Sequence, residues 1–248
     1  MKLFQPSEFT GNGYGKTDKG KVRDHNEDSF LCDNTTGVYL VADGMGGHMA
    51  GETASGLCVD NVSSFFKDNT ISDIEKSAAA SLELANKAIY EAAALDTSKK
   101  GMGCTAALLV IKGNLYCGTW AGDSRIYLLR KGKLTQVTRD HSKVQMLVDA
   151  KIITAEQALT HPERNIITRS IGTKEAVEID AVSGRLKEND IFLLCSDGVC
   201  GMMPEKEILG LLASENNPQS AAEKLVAAAD EMDGSDNETA VVVRIMEK

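Results

Sequence analysis

The stretch TAALLVIKGNLYCGTWAGDSRIYLLRKGKLTQ, residues 105–136, decides how the chain must fold. It contains the runs Thr105–Lys112, Leu115–Ala121, Arg125–Arg130 and Leu134–Gln136. Each is rich in apolar, β-branched or aromatic residues and is bounded by Gly, Asn or Asp, which marks strands. Lys112-Gly113-Asn114-Leu115 and Arg130-Lys131-Gly132-Lys133 read as tight turns, so neighbouring strands run antiparallel. Working outward, similar runs appear at Ser29–Leu31, Gly37–Ala42, Val177–Ser183, Asp190–Cys195 and Thr239–Met246. Helical spacing falls at Met49–Asp68, Ile71–Asp96, Ser142–Ala150, Pro204–Ser214 and Pro218–Met232, with Ser72 or Asp73 available to cap the second. The helices come in blocks between groups of strands. That order predicts a layered α+β fold and disfavours a doubly wound parallel sheet.

No low-complexity linker and no internal repeat divides the chain, so residues 1–248 read as one domain. Residues 139–169 stand apart in polarity and read as an excursion from the core, the kind of long insertion that tends to be functional. Hydrophobic residues make up 42% and charged residues 25%, the balance of a soluble globular chain. No apolar run reaches the roughly eighteen residues of a membrane span, and the N-terminal apolar stretch is too short for a signal peptide. The expectation is a cytoplasmic protein. The six cysteines agree with it, since none forms a C-x-x-C pair and several lie inside apolar runs. A net charge of −9 argues against a nucleic-acid partner.

The chemistry is carried by acids placed beside strands. Glu27 and Asp28 precede one strand, and Asp43-Gly44 closes the next. Asp123 lies in Ala121-Gly122-Asp123-Ser124-Arg125, Asp197 in Ser196-Asp197-Gly198, and Asp236 just before the last strand. Any one of these is an ordinary turn residue. If the strand ends share one edge, however, the carboxylates converge, and two such charges about 4 Å apart repel by roughly 4 kcal/mol at an effective dielectric near 20. A cluster of that kind takes up protons or binds cations, and an all-oxygen donor set selects hard ions such as Mg²⁺ or Mn²⁺. Arg23 is the complementary piece, because a guanidinium can clamp two phosphate oxygens.

At this point a resemblance is plain. Val22-Arg23-Asp24-His25-Asn26-Glu27-Asp28-Ser29-Phe30 resembles the first signature of PP2C-type serine/threonine protein phosphatases. Val41-Ala42-Asp43-Gly44-Met45-Gly46-Gly47-His48 is similar to the second in its bacterial, stand-alone form. Gly101–Thr105, Ala121–Arg125, Thr138–Ser142, Ile167–Gly172, Ser196–Gly198 and Asp236-Asn237 follow in the family's order, from about Gly15 to Ile245.

The resemblance implies a four-layer αββα sandwich with two central antiparallel sheets, and a flap near 139–169. It implies two Mn²⁺ or Mg²⁺ ions and a weaker third. Asp43 would bridge two of them, with the Gly44 carbonyl beside it. Asp197 and Asp236 would complete one shell, Glu27 and Asp28 would act directly or through water, and Asp123 would hold the third ion. It further implies hydrolysis of phosphoserine and phosphothreonine by a metal-bridging water, with Arg23 anchoring the phosphate. The implied partners are phosphorylated proteins, namely the substrates of a Ser/Thr kinase and the kinase itself. The implied state is a monomer with no membrane.

Met45 stands where many relatives carry a histidine, which leaves His48 and His141 as the nearest proton-donor candidates. Glu238 occupies a position where an apolar residue is common, and the Gly234–Asp236 turn is tighter than in many relatives. Gly11-Asn12-Gly13-Tyr14-Gly15-Lys16-Thr17 looks like a phosphate loop, but its first glycine would have to be Thr10. Gly44–Met49 also misses the dinucleotide pattern, and Asp230–Asp236 misses the calcium-loop frame. A non-catalytic relative would be expected to lack metal ligands, whereas Asp43, Asp197 and Asp236 are all present.

Overall fold

A computed structural model describes residues 8–46 and 50–248. Its strands are β1 (Phe9–Asp18), β2 (Asp28–Asp33), β3 (Val38–Met45), β4 (Gly103–Cys104), β5 (Ala106–Lys112), β6 (Leu115–Ala121), β7 (Arg125–Arg130), β8 (Lys133–Gln136), β9 (Asp180–Arg185), β10 (Ile191–Cys195) and β11 (Glu238–Glu247). The helices are α1 (Ala50–Asp68), α2 (Ile74–Leu95), α3 (Lys143–Asp149), α4 (Ala155–Leu159), α5 (Asp197–Cys200), α6 (Glu205–Ser214) and α7 (Pro218–Met232). One sheet has the order β1-β11-β10-β7-β8, the other β2-β3-β5-β6-β9 with β4 paired to β3, and every pairing is antiparallel.

The four layers follow from the two-residue period of a strand. Tyr39, Val41, Phe192, Leu194, Val241 and Val243 point between the sheets. Their neighbours Leu40, Leu193 and Val242 point the other way, into outer cores. Leu40 packs with Cys58 and Val62 of α1 and Leu82 and Ile89 of α2. Leu193 and Val242 pack with Ile208 and Leu212 of α6 and Leu225 and Val226 of α7. Because both faces of the central strands are covered, these strands read as continuous apolar runs with little alternation.

The meander of residues 105–136 holds, with one change that matters for the site. β5 pairs with β6, and β7 with β8, but β6 and β7 belong to different sheets. The chain crosses between layers at Gly122-Asp123-Ser124. Gly122 has φ +116°, and a Cβ there would run into Thr105, so only glycine makes this crossing without strain.

β1 was not legible in the sequence. Its glycines have poor strand propensity, and the segment resembled a failed phosphate loop. In the fold it is a ten-residue edge strand along β11, and Gly11, Gly13 and Gly15 face inward. A side chain at Gly13 would strike the Tyr39 ring, and one at Gly15 the Phe30 ring. The alternating glycines therefore let this strand lie directly on the aromatic side chains of the other sheet. α2 begins three residues later than periodicity alone suggests. Asp73 caps it by accepting from the Glu75 and Lys76 backbone N–H groups, both at 3.1 Å.

Residues 139–169 hold α3 and α4 between β8 and β9. A bridge between Ser142 and Ile167 pins the base of this segment, and a Thr154/Gln157 capping box starts α4. Met146, Ile152, Leu159 and Ile166 remain exposed on it. Among the described residues, no helix is long and apolar enough to cross a membrane.

Two glycine substitutions test the packing. Gly15→Val should lower the unfolding free energy by about 1–3 kcal/mol, because the Phe30 ring has to move. Gly210→Ala, on an exposed turn of α6 with open space around it, should raise it by about 1 kcal/mol. Urea unfolding of both variants reads the difference, and the same effect from both would contradict this account of β1.

Candidate active site

The strand ends of both sheets meet at one edge, and this brings the aspartates together. β2 and β3 set Asp28 directly opposite Asp43. Asp123 sits at the crossing from β6 to β7, Asp197 follows β10 and opens α5, and Asp236 precedes β11. In sequence Asp197 reads as the end of a strand. In the fold it also starts a short helix, whose Gly198 N–H bonds to its carboxylate.

Buried hydroxyls hold this edge in place. Ser196 Oγ and Thr239 Oγ1 donate to Asp28 Oδ2 at 2.8 and 2.7 Å, and the Thr239 N–H donates back to Ser196 Oγ at 3.0 Å. The Asp43 N–H donates to Thr105 Oγ1 at 3.0 Å, and Thr105 bonds Ser124 at 2.6 Å. Asn237 ties down the loop before β2: its Oδ1 accepts from the Glu27 N–H at 2.8 Å, and its Nδ2 donates to the carbonyls of Lys19 and His25 at 3.0 and 2.9 Å. These supporting residues were missed as functional in the sequence. Their signal is a hydroxyl or amide adjoining an acid, or set inside an apolar strand as Thr239 is.

The carboxyls are held away from their ordinary titration. Burial pushes Asp28 up to about 8, and the charges of Asp197 and Asp236 add to this against the two hydroxyl bonds that lower it. Burial likewise raises Asp43 well above the carboxylate range, with further contributions from Asp28, Asp197, Asp123 and Asp236. Asp123 is raised well above that range by burial and then by Asp197 and Asp140, and Asp197 is raised by burial and Asp236. Glu27 is raised mainly by burial, and it accepts from the Gly51 N–H at the start of α1, where the helix dipole favours a carboxylate. Gly44 is a position of close approach: a Cβ there would meet the Gly51 and Glu27 carbonyls, and its N–H donates to Glu27 O at 3.1 Å.

Arg23 reaches the same edge, where its Nη2 meets Asp236 Oδ2 at 2.7 Å. The candidate phosphate anchor is therefore paired with a candidate metal ligand. His141 reaches the base of the site but is committed elsewhere. Its Nδ1 accepts from the Gly122 N–H at 3.1 Å, its Nε2 lies 3.3 Å from Asp180 Oδ2, and Trp120 stacks on its ring. With both nitrogens engaged and burial lowering its basicity, it braces the Asp123 turn. His48 lies outside the described residues. Glu238, at the start of β11, is buried with both carboxylate oxygens unpartnered, and burial, then the charges of Asp230 and Asp18, push it up to about 7.

The donor set suits a hard divalent cation. Among the described residues, no three acidic, thiol or imidazole groups already stand in finished ion-holding geometry. The buried oxygens Asp28 Oδ1, Asp197 Oδ1 and Glu27 Oε1 nevertheless have no hydrogen-bond partner. Unpartnered buried carboxylate oxygens are costly, and a cation would satisfy them and the mutual repulsion together.

Comparison with known proteins agrees. Residues 17–229 match the family model described as protein phosphatase 2C. The chain belongs to the protein phosphatase 2C family. It is 35% identical over 235 residues to the serine/threonine phosphatase stp of Listeria welshimeri, which covers 92% of this chain and 93% of that one. The structure of serine/threonine phosphatase Stp1 from Staphylococcus aureus superposes with a TM-score of 0.90 at 31% identity, covering 98% of each chain. The catalytic domain of serine threonine protein phosphatase PstP, solved in complex with 2 manganese ions, superposes at 0.89 with 33% identity, covering 96% of this chain and all of that one. As a member of this family, the chain is a protein phosphatase.

The raised carboxyls give stability a pH dependence of known sign. Asp28 is protonated in the fold at pH values where the unfolded chain, near 3.8, has already ionised. Its contribution is therefore full below about pH 4 and is lost as pH rises toward 8. In chelator, the Tm of the unaltered protein should fall between those values more steeply than that of Asp28→Asn. Identical slopes in a thermal-unfolding series would contradict the assignment.

Proposed function

We propose that the chain hydrolyses phosphoserine and phosphothreonine on proteins, using Mn²⁺ or Mg²⁺ gathered by the aspartate edge. The observation that carries this reading is the convergence of Asp28, Asp43, Asp123, Asp197 and Asp236 at one edge, with buried oxygens of Asp28, Asp197 and Glu27 left unpartnered. Asp43, the Gly44 carbonyl, Asp197 and Asp236 would hold the principal ions, with Asp28 in support and Asp123 serving a third. Divalent cations bound there would supply Lewis acidity and a hydroxide at neutral pH.

The chain's own groups set the rest. Asp28 is oriented by Ser196 and Thr239, so it presents one fixed oxygen to the site. Thr105 and Ser124 fix the backbone that carries Asp43. Arg23, exposed at the rim, would exchange Asp236 for phosphate oxygens and stabilise charge on them as the ester bond breaks. Residues 139–169 would form the flap beside this edge, within one domain. The buried thiols suit a reducing cytoplasm, and the substrates would be targets of a Ser/Thr kinase, including the kinase itself.

With Mn²⁺ present, the unaltered protein should hydrolyse a phosphothreonine peptide, and Asp43→Asn should lose at least about a hundredfold in kcat. Equal rates, or no hydrolysis by the unaltered protein, would sink the reading and favour a non-catalytic binding module. Arg23→Lys should lose roughly tenfold in kcat/KM, because an ammonium cannot form the guanidinium fork. An unchanged value would mean that Arg23 only neutralises Asp236.

A further inference from the structure

A cavity of about 360 Å³ opens beside the aspartate edge. Asp123, Asp197 and Asp236 line it. Val148 of α3, Leu159 of α4, and Met202 and Met203 in the turn between α5 and α6 line the same cavity. Met203 is buried, while Leu159 is 47% and Met202 48% exposed. Single exposed apolar residues need no explanation. Here, large apolar side chains from two separate segments line one cavity that runs on into the candidate catalytic carboxylates.

We propose that this part of the cavity seats an apolar side chain of the phosphoprotein substrate, close in sequence to the phosphorylated residue. The proposal rests on the phosphatase reading above. Continuity supplies the occupant: a chain that presents its phosphate at Asp123, Asp197 and Asp236 must lay its neighbouring residues along the same cavity. Its size is within the range of pockets that enclose small ligands, so one or two side chains fit.

Charge narrows the class. Glu156, Glu205 and Asp233 stand on the rim. Arg125 is tied to Asp140 at 2.7 Å and is not available to an incoming acid. Arg164 adds one exposed cation to the rim. Acidic flanking residues are therefore disfavoured, and apolar ones find a surface. Methionine, unbranched and polarizable, adapts to differently shaped side chains, so the seat would accept leucine, isoleucine, methionine or phenylalanine with similar ease.

The test is kcat/KM, with Mn²⁺, for phosphothreonine peptides carrying leucine, alanine or glutamate at each neighbouring position in turn. The unaltered protein should favour leucine over alanine by roughly tenfold at one position or more, with glutamate poorer still. In Leu159→Asp and Met202→Asp that ratio should collapse to within about twofold. Both positions are exposed, and a cooperative thermal transition would verify that each variant is folded. If all peptides are hydrolysed at one rate, or the ratio survives in both variants, the seat is wrong and the phosphatase reading stands. If no peptide is hydrolysed, the phosphatase reading fails and the seat fails with it.

Discussion

Asp28 and Asp43 face each other across paired strands, and Asp123, Asp197 and Asp236 arrive at the same edge from other strands and from the opposite sheet. Like charges at such separations repel by a few kcal/mol per pair even when partly screened. Burial first, and that repulsion added to it, push Asp28 up to about 8 and Asp43 and Asp123 well above the carboxylate range, so protons are held there. A divalent cation would answer it better, since it would neutralise several carboxyls at once and satisfy the oxygens that lack partners. The hydroxyls of Thr105, Ser124, Ser196 and Thr239 then act as a fixed backing that keeps the acids from turning away from one another.

The sandwich makes this placement possible. Strands covered on both faces leave their ends as the places where polar groups can gather without unsatisfied backbone. The crossing at Gly122 stitches the sheets together beside Asp123, and Gly44 lets the start of α1 approach the chain at Asp43. Glycine at these points is a steric requirement, and each stands next to an acid of the site. The pairing of Arg23 with Asp236 belongs to the same balance, because a cation from the chain offsets one of the clustered acids.

The apolar runs and tight turns of residues 105–136 announced strands because propensity and burial agree there. The acids were legible because each stood beside a strand, and the motif order joined them into one site. β1 was hidden because its inward face is glycine, which propensity counts against a strand while packing on Tyr39 and Phe30 requires it. The split of β6 and β7 between sheets was hidden because a tight turn and a layer crossing look alike in sequence. His141 was ambiguous for a related reason: only the fold shows Gly122 and Asp180 occupying both ring nitrogens. The cavity beside α4 could not be read at all, since Leu159 and Met202 are distant in sequence and come to line one cavity only in the fold.

On the proposed reading, protons and divalent cations compete for one set of carboxyls. Titrating Mn²⁺ into metal-depleted protein in weakly buffered solution near pH 7 measures that competition directly. Net proton release should track ion binding and be reduced in Asp28→Asn, because Asp28 and its neighbours must ionise as the ions enter. Mn²⁺ binding with no proton release would contradict it.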